Sequence, residues 1–237
     1  MPAGDALIAK VRFDTPMSNK DFKQREISQM RLSYGQDGIA SLGDDPFVAF
    51  AVWLREADEN PAIVEANAMV LSTLDADSQI TTRTVLLKDI SQGGFTFFTN
   101  YSSRKAHAID INPQATVLFP WHAMGRQITV SGFAVKVSAS ESQSYFATRP
   151  WSSQIGAWAS HQSAPLASRA QLEQRFHGAA QKWPAGTVVP CPPHWGGYRI
   201  TPMSIEFWQG RHSRMHDRLR YERANAGTDW VIGRYYP

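Results

Sequence analysis

The chain has 237 residues, 43% of them hydrophobic and 11% aromatic, enough to bury one sizeable core. Its 24 basic and 21 acidic residues leave a formal charge of +3, too slight an excess to mark a nucleic-acid binder. Cys191, the one cysteine, leaves no partner for an intrachain disulfide and argues against a cysteine-based metal site.

The longest apolar stretch, Phe47–Leu54, falls far short of a membrane span. Asp5, Lys10, Arg12 and Asp14 stand where a signal peptide needs an unbroken apolar core, so a soluble, cytoplasmic protein is expected. Residues 1–17 lack periodicity and are expected to form a mobile extension, with residues 18–237 as one domain. Ser18 or Asn19 can cap a helix whose Phe22, Ile27, Met30 and Tyr34 share a face, stopped by Gly35. Asp45 and Pro46 open a second helix with Phe47, Phe50 and Leu54 turned inward, closed by Asn60–Pro61.

From residue 67 the pattern changes to that of strands. Segments 67–74, 79–88, 94–99, 114–121 and 126–137 are rich in Val, Ile, Thr and Phe, and turn residues separate them. Ser138 and Glu141 form a capping-box pattern for a helix that ends before Pro150, and a further helix is expected over 166–182 with Leu172 and Phe176 inward. Strands return at 197–201, 204–209, 214–223 and 230–234, with a turn at Asn225–Gly227. Short turns between strands, without a βαβ rhythm, predict a mainly β fold: an antiparallel barrel of six or more strands with peripheral helices.

Three clusters carry candidate chemistry. In Asn100-Tyr-Ser-Ser-Arg-Lys-Ala, Arg104 and Lys105 occupy the first turn of a short helix, where cations are unfavourable unless an anion is bound; with the Ser103 hydroxyl they describe a phosphate cradle. A solvated basic turn is the ordinary alternative. Second, period two puts Arg214, His216, Arg218 and Arg220 on one side of a strand, a row of charge that needs an anionic ligand or solvent. Third, Tyr145 and Arg149 lie four apart on a helix face with Ser153 just beyond, a set suited to a phosphate monoester. Arg83 and Lys88 fall on opposite faces of a regular strand, and can serve one ligand only if a bulge intervenes or the strand ends near Lys88. No metal-binding histidine spacing, Gly-rich dinucleotide pattern or ATP loop is present, so no metal is expected.

Several stretches together resemble the pyridoxine/pyridoxamine 5'-phosphate oxidases: RTVLLK (83–88), FTNYSSRKA (98–106), GRQITV (125–130), YFATRPWSSQIGAWASHQS (145–163), WGGYR (195–199) and EFWQGRHSRMHDR (206–218). The likeness runs from about residue 27 to 237. It implies a homodimeric FMN-binding split barrel with active sites at the subunit interface. By position it implies FMN contacts from Arg83, Lys88, Phe98, Thr99, Ser103, Arg104, Lys105, Gln127, Gln162, Ser163, Trp208 and Arg218. It implies a substrate-phosphate clamp of Lys88, Tyr145, Arg149 and Ser153, with Arg214 and His216 as catalytic residues over the substrate ring and Arg31 and Tyr34 in a lid. The implied reaction oxidises pyridoxine or pyridoxamine 5'-phosphate to pyridoxal 5'-phosphate, with O2 as electron acceptor and H2O2 as product. The alternative is a related flavin oxidase acting on another ring, such as a phenazine precursor. Phe98, where some relatives carry Tyr, and the C-terminal Arg-Tyr-Tyr-Pro depart from the family pattern.

Overall fold

The computed structural model describes residues 33–237; the expected helix up to residue 32, with Arg31, lies outside the described residues, and at Ser33 and Tyr34 the chain is not helical. Eight strands form the sheet: β1 (Ala68–Leu74), β2 (Ile80–Leu86), β3 (Phe95–Asn100), β4 (Gln114–Trp121), β5 (Arg126–Lys136), β6 (Trp195–Gln209), β7 (Asp217–Glu222) and β8 (Val231–Tyr235). The pairing order is β2-β1-β4-β5-β6-β7-β8, and β3 pairs with the first half of β6. Every pairing is antiparallel. Just past β2 the Lys88 N–H donates to the Thr96 carbonyl at 2.8 Å, and the Thr96 N–H donates to the Asp89 carbonyl at 2.8 Å. That seam joins the end of β2 to β3 and closes β1–β6 into a barrel, a solution that removes exposed strand edges.

The expected strands at 197–201 and 204–209 are one strand, β6. Pro202 looked like a break, because proline cannot donate to a ladder. It lies instead at a bulge, where Ser131 faces Ser204 but Gly132 faces Pro202, leaving Met203 as the extra residue. The close approach there requires glycine: a Cβ on Gly132 would sit 2.0 Å from the Thr201 carbonyl oxygen. The bulge lets β6 serve two partners, β3 with its first half and β7 with its second.

Helix α1 (Pro46–Asp58) starts where Asp45 accepts the Phe47 N–H at 2.8 Å. It lays Phe50 against Phe95 and Phe119 at ring distances of 4.9 and 5.0 Å, and Trp53 against Phe207 at 5.2 Å. Helix α2 (Arg104–Ile111) follows β3. A second, smaller core gathers α3 (Ala139–Thr148), α4 (Trp151–Ala159) and α5 (Arg169–Lys182) around Phe146, Ile155, Val189 and Trp195. The Ser138–Glu141 capping box is present at the start of α3. α4 was not anticipated, because Pro150 reads as an end. Here the residue that stops α3 also caps α4. The last helix starts at Arg169 rather than 166, where the Ser168 hydroxyl accepts the Gln171 N–H. Among the described residues no helix is long and apolar enough to cross a membrane.

Phe50 is fully buried at the junction of α1 and the barrel. Phe50→Ala should therefore cost about 3–5 kcal/mol of folding stability, read as a lower urea midpoint with an unchanged slope.

Candidate active site

The ends of β2 and β3 and the first turns of α2 and α4 enclose a cavity of about 800 Å3. It brings together nine residues singled out from sequence: Arg83, Lys88, Phe98, Thr99, Lys105, Tyr145, Arg149, Ser153 and Gln162. β2 ends at Leu86, two residues before Lys88, which is how Arg83 and Lys88 reach one space. Four of the lining side chains are cationic and none is a carboxylate.

Three of the four cations are held from behind. The Arg83 guanidinium donates to the Thr73 hydroxyl at 2.7 Å and also to the Thr81 hydroxyl. Lys105 Nζ donates to Gln162 Oε1 at 2.7 Å and to the Thr99 hydroxyl at 3.2 Å. Arg149 lies over the Trp195 ring at 4.7 Å, and its buried Nη1 has no hydrogen-bond partner among the described residues. Burial pulls Arg83, Lys105 and Arg149 below their usual values; the neighbouring Arg83 charge adds to the effect on Lys105, bringing it to about 8. Burial raises the Tyr145 phenol, against the pull of Arg149. A buried donor without a partner beside desolvated cations makes a site that an anion completes.

Two expectations about this region change. Arg149 is the residue after α3, with extended backbone at φ −71° and ψ 148°, as a residue preceding proline prefers. It shares the cavity with Tyr145 without sharing its helix. Arg104 does not line the cavity: its exposed side chain pairs with Asp75 at 3.0 Å, so the basic first turn is answered by a carboxylate of the chain itself. Ser103 is fully buried as the cap of α2, and the Ser163 hydroxyl accepts the Arg104 N–H at 3.2 Å. Ser163 holds φ +72°, an uncommon backbone for serine. Sequence reasoning passed over Trp195, the platform beneath Arg149. It also missed Gly156, a mid-helix glycine on the cavity wall where a Cβ would project into open space. That helical glycine was the available signal.

The remaining candidates form a second group. Gln127, Trp208 and Arg218 are register partners across β5, β6 and β7. His216 packs on Trp208 at 4.7 Å, and Tyr34 meets both rings edge-on at 5.8 Å. The Arg211 N–H donates to His216 Nδ1 at 3.0 Å, so the proton of a neutral imidazole sits on Nε2. The expected strand over 214–223 begins only at Asp217. His212–Arg214 is a 3-10 turn in which Ser213 and Arg214 both take left-handed backbone, φ +56° and +62°. Arg214 and His216 therefore precede the strand, and only Arg218 and Arg220 keep the predicted period-two face. The charge there is answered by Glu206, whose carboxylate accepts from Arg218 at 2.9 Å and from Arg220 at 2.8 Å. None of this second group lines the large cavity. No cluster of three or more metal-ligating side chains occurs among the described residues.

Residues 57–183 match the family model described as pyridoxamine 5'-phosphate oxidase, and residues 195–237 match the pyridoxine 5'-phosphate oxidase C-terminal dimerisation region. The chain belongs to the pyridoxine/pyridoxamine 5'-phosphate oxidase family. Similar relatives include the pyridoxine/pyridoxamine 5'-phosphate oxidase of Thermobifida fusca, 50% identical over 89% of this chain and 97% of that protein. The same-named protein of Burkholderia cenocepacia is 47% identical over 89% of this chain and 99% of that one. Among solved structures, PhzG from Burkholderia lata in complex with tetrahydrophenazine-1-carboxylic acid matches with a TM-score of 0.76 and 32% identity, covering 82% of this chain and 94% of that one. The family is one of FMN-dependent oxidoreductases, and FMN is the cofactor. The cavity fits it: the four cations and the unpartnered Arg149 donor suit a phosphate-bearing ligand, and Phe98 and Trp195 supply aromatic surface.

The Lys105 value gives a pH dependence with a definite sign. Its folded value, about 8, lies below the usual 10.5, so the ligand-free fold is penalised below pH 8 and relieved as pH approaches 10.5. A bound phosphate favours the ammonium. FMN affinity of the apoprotein should be level up to about pH 8 and then fall about tenfold per pH unit. Lys105→Gln should bind more weakly and without this slope; fluorescence titration between pH 7 and 9.5 reads both.

Proposed function

We propose that the protein oxidises pyridoxine 5'-phosphate or pyridoxamine 5'-phosphate to pyridoxal 5'-phosphate, with O2 as electron acceptor and H2O2 as product, and ammonia released from the amine. The single observation that carries this reading is a cavity lined by four cations and no carboxylate. One phosphate, that of FMN, leaves the cavity with positive charge to spare, and a second phosphate on the substrate uses it. Hydride acceptance from the substrate C4' carbon and delivery of electrons to oxygen are the chemistry that bound FMN supplies.

The chain's own residues bind and orient. Arg83, Lys105, Thr99 and Gln162 hold the cofactor, with Phe98 beside them and Ser103, Ser163 and Arg104 supporting the turn. Lys88, Tyr145, Arg149 and Ser153 clamp the substrate phosphate. Gln127, Trp208 and Arg218 complete the cofactor site, while Arg214 and His216 contact the substrate ring, with His216 Nε2–H as a donor. Tyr34, which packs against Trp208 and His216, covers this second group. Because this second group stands apart from the cavity within one chain, the reading requires a homodimer in which each site takes the first group from one subunit and the second from its partner. The match of residues 195–237 to a dimerisation region supports this, since they carry Trp208, Arg214, His216 and Arg218.

A second reading has a specific observation behind it, the likeness to PhzG bound to a phenazine carboxylic acid. A substrate without phosphate has little use for Lys88, Tyr145, Arg149 and Ser153 together, and all four line the cavity.

Incubation of the purified protein with pyridoxine 5'-phosphate in air, following aldehyde and peroxide, tests the reaction; no turnover with either phosphorylated substrate would sink it. Arg149→Ala should raise KM about ten- to more than hundredfold with flavin content near normal, the loss of a hydrogen bond to a charged group. Arg104→Ala, as a support of the FMN turn, should weaken FMN binding, with activity recovering in excess FMN.

The shared site predicts complementation. Arg149→Ala and Arg214→Ala homodimers should each be impaired. Dissociating and re-mixing them in equal amounts should restore about a quarter of wild-type activity, because half the dimers become hybrids with one intact site of two. Absence of recovery despite hybrid formation would place both groups in one subunit's site.

A further inference from the structure

Arg199 belongs to neither group of site residues and does not line the large cavity, yet it links two segments that lead into it, one adjoining Lys88 and the other carrying Tyr145. It is on β6, opposite Thr96 of β3, with its side chain 13% exposed. One guanidinium nitrogen, Nη2, donates to Glu141 Oε1 at 2.6 Å and lies 3.9 Å from Asp89 Oδ2. A second, Nη1, donates to Gln92 Oε1 at 2.9 Å, and the third, Nε, is buried with no hydrogen-bond partner among the described residues. Gly94 makes room for this reach: a Cβ there would lie 2.6 Å from Arg199 Cγ and 2.9 Å from the Ile200 carbonyl oxygen.

The partners lie on either side of the proposed phosphate clamp. Asp89 and Gln92 belong to the segment that follows β2, adjoining Lys88, whose own N–H is fixed to Thr96. Glu141 sits in the first turn of α3, one turn before Tyr145 and two before Arg149. It is doubly committed, since its Oε2 also accepts the Ser138 N–H at 3.1 Å and the Ser138 hydroxyl at 2.9 Å. Arg199 is largely buried while Glu141 is 37% exposed; what fixes the geometry is that each partner is also held by further hydrogen bonds. Arg199 therefore ties Lys88's segment to the helix that carries Tyr145 and leads directly into Arg149.

We propose that Arg199 is a positioning residue that sets the separation between Lys88 and the Tyr145–Arg149 pair, and with it the fit of the clamp to a phosphate monoester. The inference rests on the reading of that wall as the substrate-phosphate clamp, and it adds a residue that touches neither ligand.

The test uses the FMN-loaded dimer, with KM and kcat for pyridoxine 5'-phosphate and inhibition by inorganic phosphate as readouts. Arg199→Met should raise KM and the phosphate inhibition constant together, on the order of tenfold, with kcat and flavin content retained, since a small displacement of a clamp weakens binding steeply. Glu141→Gln keeps the helix cap but loses the ionic partner, and should move the same two constants in the same direction. Combining the two should add little to either alone, as for residues acting through one contact. Arg199→Lys should restore part of the affinity, and it carries the test with Glu141→Gln if Arg199→Met does not fold. Ser138→Ala, which removes the cap and leaves the Arg199–Glu141 contact, should leave KM close to wild type.

Unchanged KM and phosphate inhibition in the Arg199 and Glu141 variants would overturn the proposal. So would losses of flavin and kcat without a selective rise in KM, the mark of a general packing role. A wild-type enzyme that neither turns over the phosphorylated substrate nor is inhibited by phosphate would instead bring down the clamp reading itself.

Discussion

The arrangement of this chain turns on gathering four cations around one cavity without a carboxylate among them. Like charges in a desolvated space repel, and burial removes the water that would screen them. The protein meets this by bracing three of the four with neutral acceptors or an aromatic face: hydroxyls behind Arg83, an amide and a hydroxyl behind Lys105, and the Trp195 ring beneath Arg149. Hydroxyls, amides and rings orient a cation without cancelling its charge. Where the same chain does answer arginine with carboxylate, as at Glu206 with Arg218 and Arg220, it does so on another part of the sheet. The contrast separates cations braced by neutral groups from cations that a carboxylate of the chain already answers.

The closure of the barrel explains how these cations come to share one space. Arg83 and Lys88 share one space because β2 stops at Leu86, and because the Lys88–Asp89 backbone then turns its hydrogen bonds to Thr96 of β3. Thr99 follows on that strand, and Lys105 arrives one helix turn later. α4, starting directly at Pro150, brings Ser153 to the far wall. The site is thus a by-product of how β2, β3 and the two short helices meet, which is why residues so distant in sequence converge.

Much of this was legible in the sequence. Alternating apolar residues located β1 and β4, the Asp45-Pro46 and Ser138–Glu141 pairs located two helix starts, and Asn225–Gly227 located the last turn, because each signal is local and its physics is short-ranged. What was missed depended on tertiary context. Pro202 reads as a break until a bulge removes the need for its N–H, and Pro150 reads as an end until the chain restarts around Trp151. That the Arg104 side chain pairs with Asp75 was not legible either, because Asp75 stands 29 residues earlier and gives no local sign of being its partner. Arg214 and His216 were placed on a strand by periodicity, whereas the 3-10 turn there is built on two left-handed residues that no alternation pattern predicts.

Family membership alone leaves the choice of substrate open, since a relative of similar architecture has been solved with a phenazine carboxylic acid. Architecture is a weak discriminator, because one fold hosts different chemistries by changing the groups that line it. The charge in the cavity discriminates better. A carboxylate on a flat ring and a phosphate monoester differ in charge and in the number of acceptor oxygens, so they call for different numbers of donors. Lys88, Tyr145, Arg149 and Ser153 can surround a tetrahedral dianion from several directions, and the buried Arg149 Nη1 stands without a partner on that wall. A ligand with a single carboxylate would leave part of this set unsatisfied in a desolvated place, at the usual cost of an unmade buried hydrogen bond. On the proposed reading, discrimination would come as much from what the cavity penalises as from what it attracts.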